Sequence, residues 1–210
     1  MMFISFEGCE GTGKTTHSRY LFEKLSKKYS CVLTKEPGGG LFNEVIRNIL
    51  LHSSHKQIDF HTEALLFAAD RSEHLSKLII PALQKNKIVI CDRYLDSTIA
   101  YQVYARGLSQ DFVLNINNFA LNYMPNITFY LDLDPKIGIQ RVKQFRPKEI
   151  NSFDLQKLYF HKKVRKGYLD LYQKDQQKRI FLIDASKPLE NIYNIIEQKL
   201  KEVFQIELLE

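Results

Sequence analysis

The sequence predicts a single α/β domain, a three-layer sandwich in which helices flank a parallel sheet of five strands. Five short apolar runs rich in β-branched or aromatic residues recur, and longer segments with helical spacing separate them. Continuous apolar runs are what a parallel sheet buried on both faces requires. No repeat, Pro-rich linker or low-complexity tract divides residues 1–210, so we expect one domain. The predicted strands cover residues 3–6, 31–34, 88–91, 127–133 and 180–183.

Apolar residues at helical spacing occupy the segments between these strands. In the last segment, Leu189, Ile192, Ile196 and Leu200 form one apolar stripe, which is typical of a helix packed on a sheet. The predicted helices cover residues 14–29, 43–51, 62–84, 97–105, 111–122, 135–145, 153–172 and 189–204.

The composition is that of an ordinary globular protein, because 44% of the 210 residues are hydrophobic and 26% are charged. A chain of this length buries roughly 70% of the surface that its unfolded form exposes, so its core needs no disulfide or metal. Cys9, Cys31 and Cys91 form no C-x-x-C pair and favour a reducing, cytoplasmic compartment. The chain start reaches Glu7 without a basic region, and no apolar run approaches the roughly 18 residues of a membrane span. We therefore expect neither a signal peptide nor a membrane segment.

Positive charge is concentrated in one part of the chain. The formal net charge is +6, and residues 136–179 alone carry thirteen Lys or Arg against four Asp or Glu, a net charge of +9. This basic segment predicts an anionic partner, either a small polyphosphate or a nucleic acid. A solvated helix face rich in lysine would give the same pattern.

The strongest motif follows the first predicted strand and opens the first predicted helix. It is a complete G-x-x-x-x-G-K-[ST] pattern, the signature of a phosphate-binding P-loop. Its backbone N–H groups and the helix dipole would point at phosphate oxygens, Lys14 would reach the β- and γ-phosphates of ATP, and Thr15 would ligate Mg²⁺. The helix start is also expected to lower the pKa of Cys9. The predicted ATP-binding residues of this motif are Gly8, Cys9, Glu10, Gly11, Thr12, Gly13, Lys14, Thr15 and Thr16.

An Asp-Arg pair ends the third predicted strand. Ligands of parallel α/β sheets bind beyond the carboxyl ends of the strands, so we expect Asp92 near the P-loop and its Mg²⁺, and Arg93 facing the transferred phosphate. Asp92 would contact the metal through water or orient an arginine rather than act as a general base; alternatively, it caps the next turn. The sequence has no guanine-reading N-K-x-D motif, which argues against a GTPase switch.

Three further stretches bring polar or aromatic residues toward the same region. Residues 34–39 follow the second strand with a carboxylate and a Pro-Gly turn. Phe67 and Arg71 lie four residues apart on one helix face, where they could hold a base, although Phe67 alone would also suit a core. The helix after the Asp-Arg pair is polar where a purely structural helix would be apolar, at Ser97, Tyr101 and Gln102.

In this order, these stretches resemble the thymidylate kinases of the bacterial type, a family of P-loop nucleoside monophosphate kinases. The matching stretches are residues 6–16, 34–39, 67–71, 92–98 and 101–102, with weaker similarity at 130–132 and 184–185. The resemblance covers essentially the whole chain, and the joint spacing of the motifs makes it specific. It implies Mg-ATP as donor, dTMP as acceptor, dTDP and ADP as products, the five-stranded sheet of P-loop NTPases, and a homodimer formed by helices.

The resemblance also implies which residues bind the acceptor base and phosphate. Phe67 would stack on thymine, while Arg71 and Gln102 would hydrogen-bond its polar edge. Arg47 and Arg93 would clamp the acceptor phosphate. That phosphate is mostly a dianion at pH 7, so positioning and positive charge, rather than a strong general base, would dominate the transfer.

The same resemblance places five residues around the base and sugar. Ser97 would lie close to the base, and Glu36 and Pro37 would line the acceptor pocket. Glu10 would approach the 3′-hydroxyl of the sugar. Tyr101 would crowd the 2′ position and so favour deoxyribose.

The lid, a basic segment at about residues 141–154, departs from the family pattern. The P-loop contains no arginine between its glycines, which resembles the type whose catalytic arginine comes from the lid. Many such lids carry Asp-Arg-x-Glu, but the corresponding residues 151–154 here are N-S-F-D. We favour Arg146 as the catalytic arginine and Arg141 as the residue nearer the adenine, although Arg146 would also suit a solvated lid position. The other lid cations are Lys143 and Lys148.

Two other functions fit parts of the sequence. One is a kinase for another nucleotide or nucleoside, such as dUMP, dCMP or a deoxynucleoside. Only a deoxynucleoside kinase would need a general base for a neutral hydroxyl, and the position of Glu36 could be misread as that role. The other is a P-loop switch or nucleic-acid-binding ATPase that uses the basic segment on a phosphate backbone. Because Phe67, Arg71 and Gln102 predict a pocket for one base, we favour a kinase of small molecules that binds neither nucleic acid nor membrane.

Overall fold

Five parallel strands form one sheet in the computed structural model, which describes residues 2–52 and 58–206. The strand order is β2-β3-β1-β4-β5, so the first strand is central. The predicted five-stranded parallel sheet is thereby confirmed. The strands are β1 (Met2–Glu7), β2 (Cys31–Lys35), β3 (Ile88–Asp92), β4 (Ile127–Asp132) and β5 (Ile180–Asp184).

Helices connect these strands. Two stretches of π-helix, Leu75–Ile79 and Ile99–Ala105, continue the third and fifth helices without a break. In the part of the chain that the structure describes, no helix combines the length and the apolar character that crossing a membrane needs. The α-helices are α1 (Lys14–Leu25), α2 (Leu41–His52), α3 (Phe60–His74), α4 (Ile80–Gln84), α5 (Leu95–Thr98), α6 (Gln110–Ile116), α7 (Asn118–Leu121), α8 (Pro135–Phe145), α9 (Leu158–Lys174) and α10 (Leu189–Phe204).

Alternate residues of the central strand face two different helical layers, as the two-residue period of a strand requires. Ile4 packs with Leu21 of α1 and Ile196 of α10 on one face of the sheet. Phe3 packs with Ile79 of the first π-helical stretch on the other face. The predicted three-layer sandwich is therefore confirmed, and its strands end together at one edge.

The predicted helix over residues 153–172 begins too early. In the structure α9 starts at Leu158, and residues 151–154 form a turn instead. The Asn151 side chain accepts hydrogen bonds from the N–H groups of Phe153 and Asp154 in this turn, at 2.9 and 3.2 Å. Asparagine favours such turns because its short side chain can bond to backbone N–H groups two and three residues further on.

Two other predicted helix bounds are also wrong. The helix predicted over residues 111–122 is split between α6 and α7 at Asn117, whose φ of −113° leaves the helical range. The helix predicted over residues 14–29 ends at Leu25, and a turn follows in which the N–H groups of Lys28 and Tyr29 both bond to the Leu25 carbonyl.

The P-loop and α8 approach each other at two glycines. A Cβ atom on Gly138 would lie 2.3 Å from the carbonyl oxygen of Glu10, and one on Gly11 would lie 2.1 Å from the carbonyl oxygen of Gly138. Gly11 also has a φ of +71°, which side chains other than hydrogen disfavour. Only glycine fits on either side of this contact, which joins the loop after β1 to the helix after β4.

We predict that Gly138→Ala destabilises the protein, although alanine is intrinsically the better helix former. The new methyl group meets a backbone atom that cannot rotate away, and overpacking of this kind costs about 1–3 kcal/mol. Equilibrium unfolding in urea would measure the loss, with Gln140→Ala at an exposed position of the same helix as control. Equal free energies of unfolding for the two variants would contradict the close approach.

Candidate active site

An open cavity of about 930 Å³ lies beyond the carboxyl ends of the strands. It brings together residues that the sequence assigned to the ATP site, the acceptor site and the lid. Gly8 and Cys9 are the two assigned residues outside its wall. The others line it: Glu10, Gly11, Thr12, Gly13, Lys14, Thr15, Thr16, Glu36, Pro37, Arg47, Phe67, Arg71, Asp92, Arg93, Ser97, Tyr101, Gln102, Arg141 and Arg146.

The P-loop has the backbone conformation of an anion cradle. Gly8, Gly11 and Gly13 have φ angles of +149°, +71° and +89°, in the region that favours glycine. Helix α1 begins directly after them, at Lys14, so its unpaired first-turn N–H groups and the positive end of its dipole face the loop. The loop is therefore shaped to bind phosphate.

Lys14 is buried within this cradle. Its Nζ donates a hydrogen bond to the carbonyl oxygen of Cys9 at 2.7 Å. Burial, together with the positive charge of Arg93, lowers the pKa of Lys14 to about 8, although Asp92 and Glu10 oppose the shift. At neutral pH the ammonium group is still mostly charged and can bind a phosphate oxygen.

Thr15 and Asp92 place two oxygen donors at the mouth of the P-loop. The Thr15 hydroxyl donates a hydrogen bond to the Asp92 carboxylate, which joins α1 to the end of β3. Hydroxyl, carboxylate and water oxygens are ligands that Mg²⁺ prefers. Residues 2–52 and 58–206 contain no cluster of three or more His, Cys, Asp or Glu suited to a metal. A cation held here would therefore also need oxygens from phosphate and water.

Arg93 lies between the P-loop and the rest of the cavity. Its φ of +72° is uncommon for a residue with a side chain. The guanidinium donates to the Gly8 carbonyl at 3.0 Å and to the Ser97 hydroxyl, the Tyr168 hydroxyl and the Glu10 carboxylate, each at 3.2 Å. The side chain remains 20% exposed, so a fixed positive charge faces the cavity.

Arg71 and Gln102 line the deeper end of the cavity, although each is only 1% exposed. Arg71 pairs with Glu36 at 2.9 Å and also donates to the hydroxyl of Thr98 at 2.8 Å. The Gln102 amide donates to Glu63 at 2.8 Å. These partners hold both side chains in place without a ligand.

Aromatic and cationic groups share the wall between this deep end and Arg93. Arg47 of α2 donates to the Pro37 carbonyl at 2.6 Å, and burial lowers its pKa below the ordinary arginine value. The ring of Phe67 lies 6.1 Å from that of Phe153, which lies 5.8 Å from that of Tyr101. The cavity therefore offers a flat apolar surface next to positive charge.

The two arginines of the predicted lid contact different parts of the same cavity. Arg146 pairs with Asp154 at 2.8 Å and keeps 36% of its side chain exposed. Arg141 donates to the carbonyl oxygen of Ala185 at 3.0 Å, in the loop after β5.

The expected low pKa of Cys9 is wrong. The thiol is 3% exposed and makes only a weak contact with the His161 carbonyl, at 3.8 Å. Burial, reinforced by the negative charge of Glu10, raises the pKa of Cys9 well above its ordinary value and outweighs the nearby cations. A buried, protonated thiol is unreactive, because the thiolate is the form that reacts.

The sequence analysis missed two parts of the cavity wall. Residues 185–188, after β5, line one end, and they could have been assigned from the rule that ligands lie beyond the carboxyl ends of parallel strands. Phe153 lines another part, and no local pattern predicts it. Its position follows from two long-range hydrogen bonds, from the Ser152 N–H and hydroxyl to the carbonyls of Leu51 and Leu50.

Comparisons with known proteins identify the family of this chain. The family model described as "Thymidylate kinase" matches residues 6–196. The chain belongs to the thymidylate kinase family. It is 97% identical to the thymidylate kinase of Onion yellows phytoplasma (strain OY-M) over 207 residues, which cover 99% of this chain and 100% of that protein. It is also 48% identical to the thymidylate kinase of Acholeplasma laidlawii (strain PG-8A), over 93% of this chain and 96% of that protein.

A solved structure supports the same assignment. The crystal structure of thymidylate kinase from Ehrlichia chaffeensis matches this chain with a TM-score of 0.76 and 37% identity, covering 98% of each chain. Thymidylate kinases transfer the γ-phosphoryl group of ATP to dTMP and form dTDP and ADP, and this chain is an enzyme of that kind. The predicted P-loop kinase fold and activity are confirmed, which sets aside the P-loop switch and the nucleic-acid ATPase.

We predict that kcat/KM for ATP declines as the pH rises above about 8. In the free enzyme Lys14 has a pKa of about 8, and its neutral form, which increases with pH, cannot attract the phosphates. Initial rates at saturating dTMP between pH 7 and 10 would show the decline. Lys14→Arg keeps its charge across this range and should flatten the alkaline limb, whatever its absolute rate. A wild-type profile that stays level to pH 10 would contradict the prediction.

Proposed function

We propose that the P-loop half of the cavity binds Mg-ATP. The backbone N–H groups of residues 11–16 would hold the phosphates, with the Lys14 ammonium on the β- and γ-phosphates. Thr15 would ligate Mg²⁺ and Asp92 would contact it through water, which the contact between these two side chains supports. The cation would neutralise phosphate charge. Arg141 would lie beside the adenine, and its bond to the loop after β5 supports that position.

The opposite half would bind the base of dTMP. Phe67 would stack on thymine, with Arg71 and Gln102 along its polar edge and Ser97 close by. The fixed orientation of Arg71 on Glu36 supports this arrangement, because a side chain that is already ordered loses little entropy on binding.

The sugar and phosphate of dTMP would lie between the base and the P-loop. Arg47 and Arg93 would clamp the phosphate, and Pro37, which accepts a hydrogen bond from Arg47, would line the pocket beside it. Glu10 would face the 3′-hydroxyl and Tyr101 the 2′ position. The hydrogen bond from the Tyr101 hydroxyl to Glu10 supports a shared location for these two groups.

One observation carries this proposal: residues 10–16 of the P-loop, Arg93 and Phe67 line a single cavity. Two anionic phosphates must be brought together, and phosphoryl transfer depends mainly on positioning and on charge stabilisation. Lys14, Arg47 and Arg93 would supply that charge from opposite sides. Residues 141–154 would act as the lid and add Arg146.

We also propose a cytoplasmic homodimer. The α2 side chains of Phe42 and Val45, one helical turn apart, are 56% and 58% exposed, and Leu65 of α3 is 49% exposed. Exposed apolar surface of this kind supports an interface between two copies. The three free thiols support a reducing compartment.

The acceptor range tests the proposed pocket. ADP formation from Mg-ATP would be measured with dTMP, dUMP, dCMP, AMP, GMP and thymidine as separate acceptors, and each product identified by chromatography. We expect preferential formation of dTDP. Phosphorylation of thymidine but not of dTMP would contradict the phosphate clamp, and equal rates with all monophosphates would contradict the base contacts.

We predict that Arg93→Ala lowers kcat by about 10³-fold, since cations that stabilise the transferred phosphoryl group contribute factors of 10³–10⁵. The affinity for ATP should change little, because Lys14 and the P-loop backbone bind the donor. Single-turnover kinetics and ATP titration by calorimetry would separate the two effects. Arg19→Ala, at an exposed position of α1, is the matched control. An equal loss in ATP affinity and turnover would count against the assignment.

We predict that Arg146→Ala slows phosphoryl transfer at least 100-fold, as loss of an arginine finger does. Lys148 lies two residues away on the same lid, is exposed and does not line the cavity, so Lys148→Ala should keep most of the rate. Rapid-quench measurement of the transfer step would compare the two. A normal rate for the Arg146 variant would refute this role.

A further inference from the structure

His161 of α9 is a buried histidine in contact with the active-site cavity wall, and no pattern in the sequence predicted a role for it. Its side chain is 1% exposed. The Nδ1 atom lies 3.0 Å from Oε2 of Glu10, whereas the Nε2 atom is buried and has no hydrogen-bond partner among residues 2–52 and 58–206. Within the part of the chain that the structure describes, the one polar contact of this ring is therefore with a residue of the P-loop.

The partners of Glu10 show what that contact controls. Oε1 of Glu10 accepts hydrogen bonds from the hydroxyl of Tyr101 and from the guanidinium of Arg93, whereas Oε2 accepts from His161 alone among the described residues. An ionised carboxylate has about four acceptor positions and no donor. One acceptor position of the Glu10 carboxylate thus remains, on Oε2, the oxygen that contacts His161. Because Glu10 lines the cavity, a ligand that fills this position must supply a hydrogen-bond donor.

The surroundings of His161 determine which nitrogen carries the proton. The Glu10 carboxylate only accepts, so Nδ1 must be the donor in this contact. A second proton on Nε2 would be a buried donor without an acceptor, which is costly. The neutral ring with a proton on Nδ1 is the form that both contacts allow. Burial favours a neutral Glu10, but the hydrogen bond from His161 and the charges of Arg93 and Lys14 outweigh it and hold the pKa of Glu10 well below its usual range.

A second contact links the same part of α9 to the P-loop. The backbone carbonyl of His161 accepts a weak hydrogen bond from the thiol of Cys9, the residue directly before Glu10. The side chain and the backbone of one α9 residue thus contact two successive residues of the loop. This arrangement fixes the direction in which the Glu10 carboxylate points.

We propose that His161 is a positioning residue for acceptor selection, which orients Oε2 of Glu10 so that its remaining lone pair receives the 3′-hydroxyl of the acceptor. The inference rests on the proposed function, in which Glu10 faces the acceptor sugar. In dTMP the 5′-oxygen carries the phosphate and the 2′ position has no hydroxyl. The 3′-hydroxyl is consequently the one sugar donor that can fill the free position.

The test compares two acceptors on each of three enzymes. The acceptors are dTMP and 3′-deoxythymidine 5′-monophosphate, which lacks only the 3′-hydroxyl. His161→Phe keeps a flat ring but removes the donor, whereas His161→Asn keeps a donor N–H near the position of Nδ1. For each enzyme, kcat and KM are measured separately for the two acceptors.

We expect the wild-type enzyme to prefer dTMP in kcat/KM, and His161→Phe to lose about 10- to 100-fold with dTMP, the effect of a hydrogen bond to a charged group. The kcat/KM of the same variant for the 3′-deoxy acceptor should change little, so its preference for dTMP should be largely lost. His161→Asn should restore most of that preference. An equal loss with both acceptors, or no rescue by asparagine, would overturn the proposal.

Two further measurements separate a structural effect from the proposed one. Val164→Ala removes packing one turn along α9, at a fully buried position, and should lower stability without altering the preference between acceptors. Nitrogen NMR of the wild-type His161 ring reports the tautomer even where a variant does not fold, and a proton on Nε2 instead of Nδ1 would overturn the proposal.

A wild-type enzyme without activity toward dTMP would refute the proposed function itself, whereas activity with no preference for the 3′-hydroxyl would refute the role of Glu10 and with it that of His161.

Discussion

Arg93 and Glu10 form an ion pair with an N–O distance of 3.2 Å, and the rest of the cavity is arranged around it. Removing one partner from a buried pair costs about 3–5 kcal/mol, because the other charge stays behind without compensation. Each group therefore holds the other at the junction of the P-loop and β3. Glu10 is 6% exposed while Arg93 keeps 20%, so the positive member of the pair is the one presented to the cavity.

Other arginines are held in the same way. Arg71 of α3 pairs with Glu36 after β2 at 2.9 Å, and Arg179, just before β5, pairs with Asp96 of α5 at 2.8 Å. Buried pairs contribute little net stability compared with apolar packing. Here each pair instead fixes the position of a side chain from one element against a second element. These cationic side chains are thus held in fixed positions by their partners, and charge that is already in place lowers the cost of reorganisation when a ligand binds.

The proposed acceptor half of the cavity depends on segments that are far apart in the chain. Ser152 is hydrogen-bonded to the end of α2, the helix that carries Arg47, and Phe153 packs between the rings of Phe67 and Tyr101. His161 then joins α9 to the P-loop. The proposed lid, acceptor pocket and donor site therefore share one continuous set of contacts.

Local patterns were enough to predict most of the fold. Apolar runs of strand length alternated with helical spacing, and both signals come from residues close in sequence, so the sheet and its helical layers followed. One helix bound was wrong where a side chain closes a turn with the backbone, as Asn151 does in the segment before α9. Such a bond depends on one residue, and a pattern of apolar spacing does not reveal it.

The sequence by itself determined the P-loop, the strand-end Asp92 and Arg93, and the family resemblance, because these lie in contiguous motifs whose spacing is set by the chain. Only the tertiary structure decided which partners each charge has. Cys9 is one example. Its place just before a helix suggested a thiol with a lowered pKa, whereas its burial beside Glu10 raises that pKa. Glu10 shows it again, because its partners Arg93, Tyr101 and His161 lie 83, 91 and 151 residues further along the chain. Hydrogen bonds form only between groups a few ångströms apart. Which groups from distant parts of the chain come that close depends on how the elements pack.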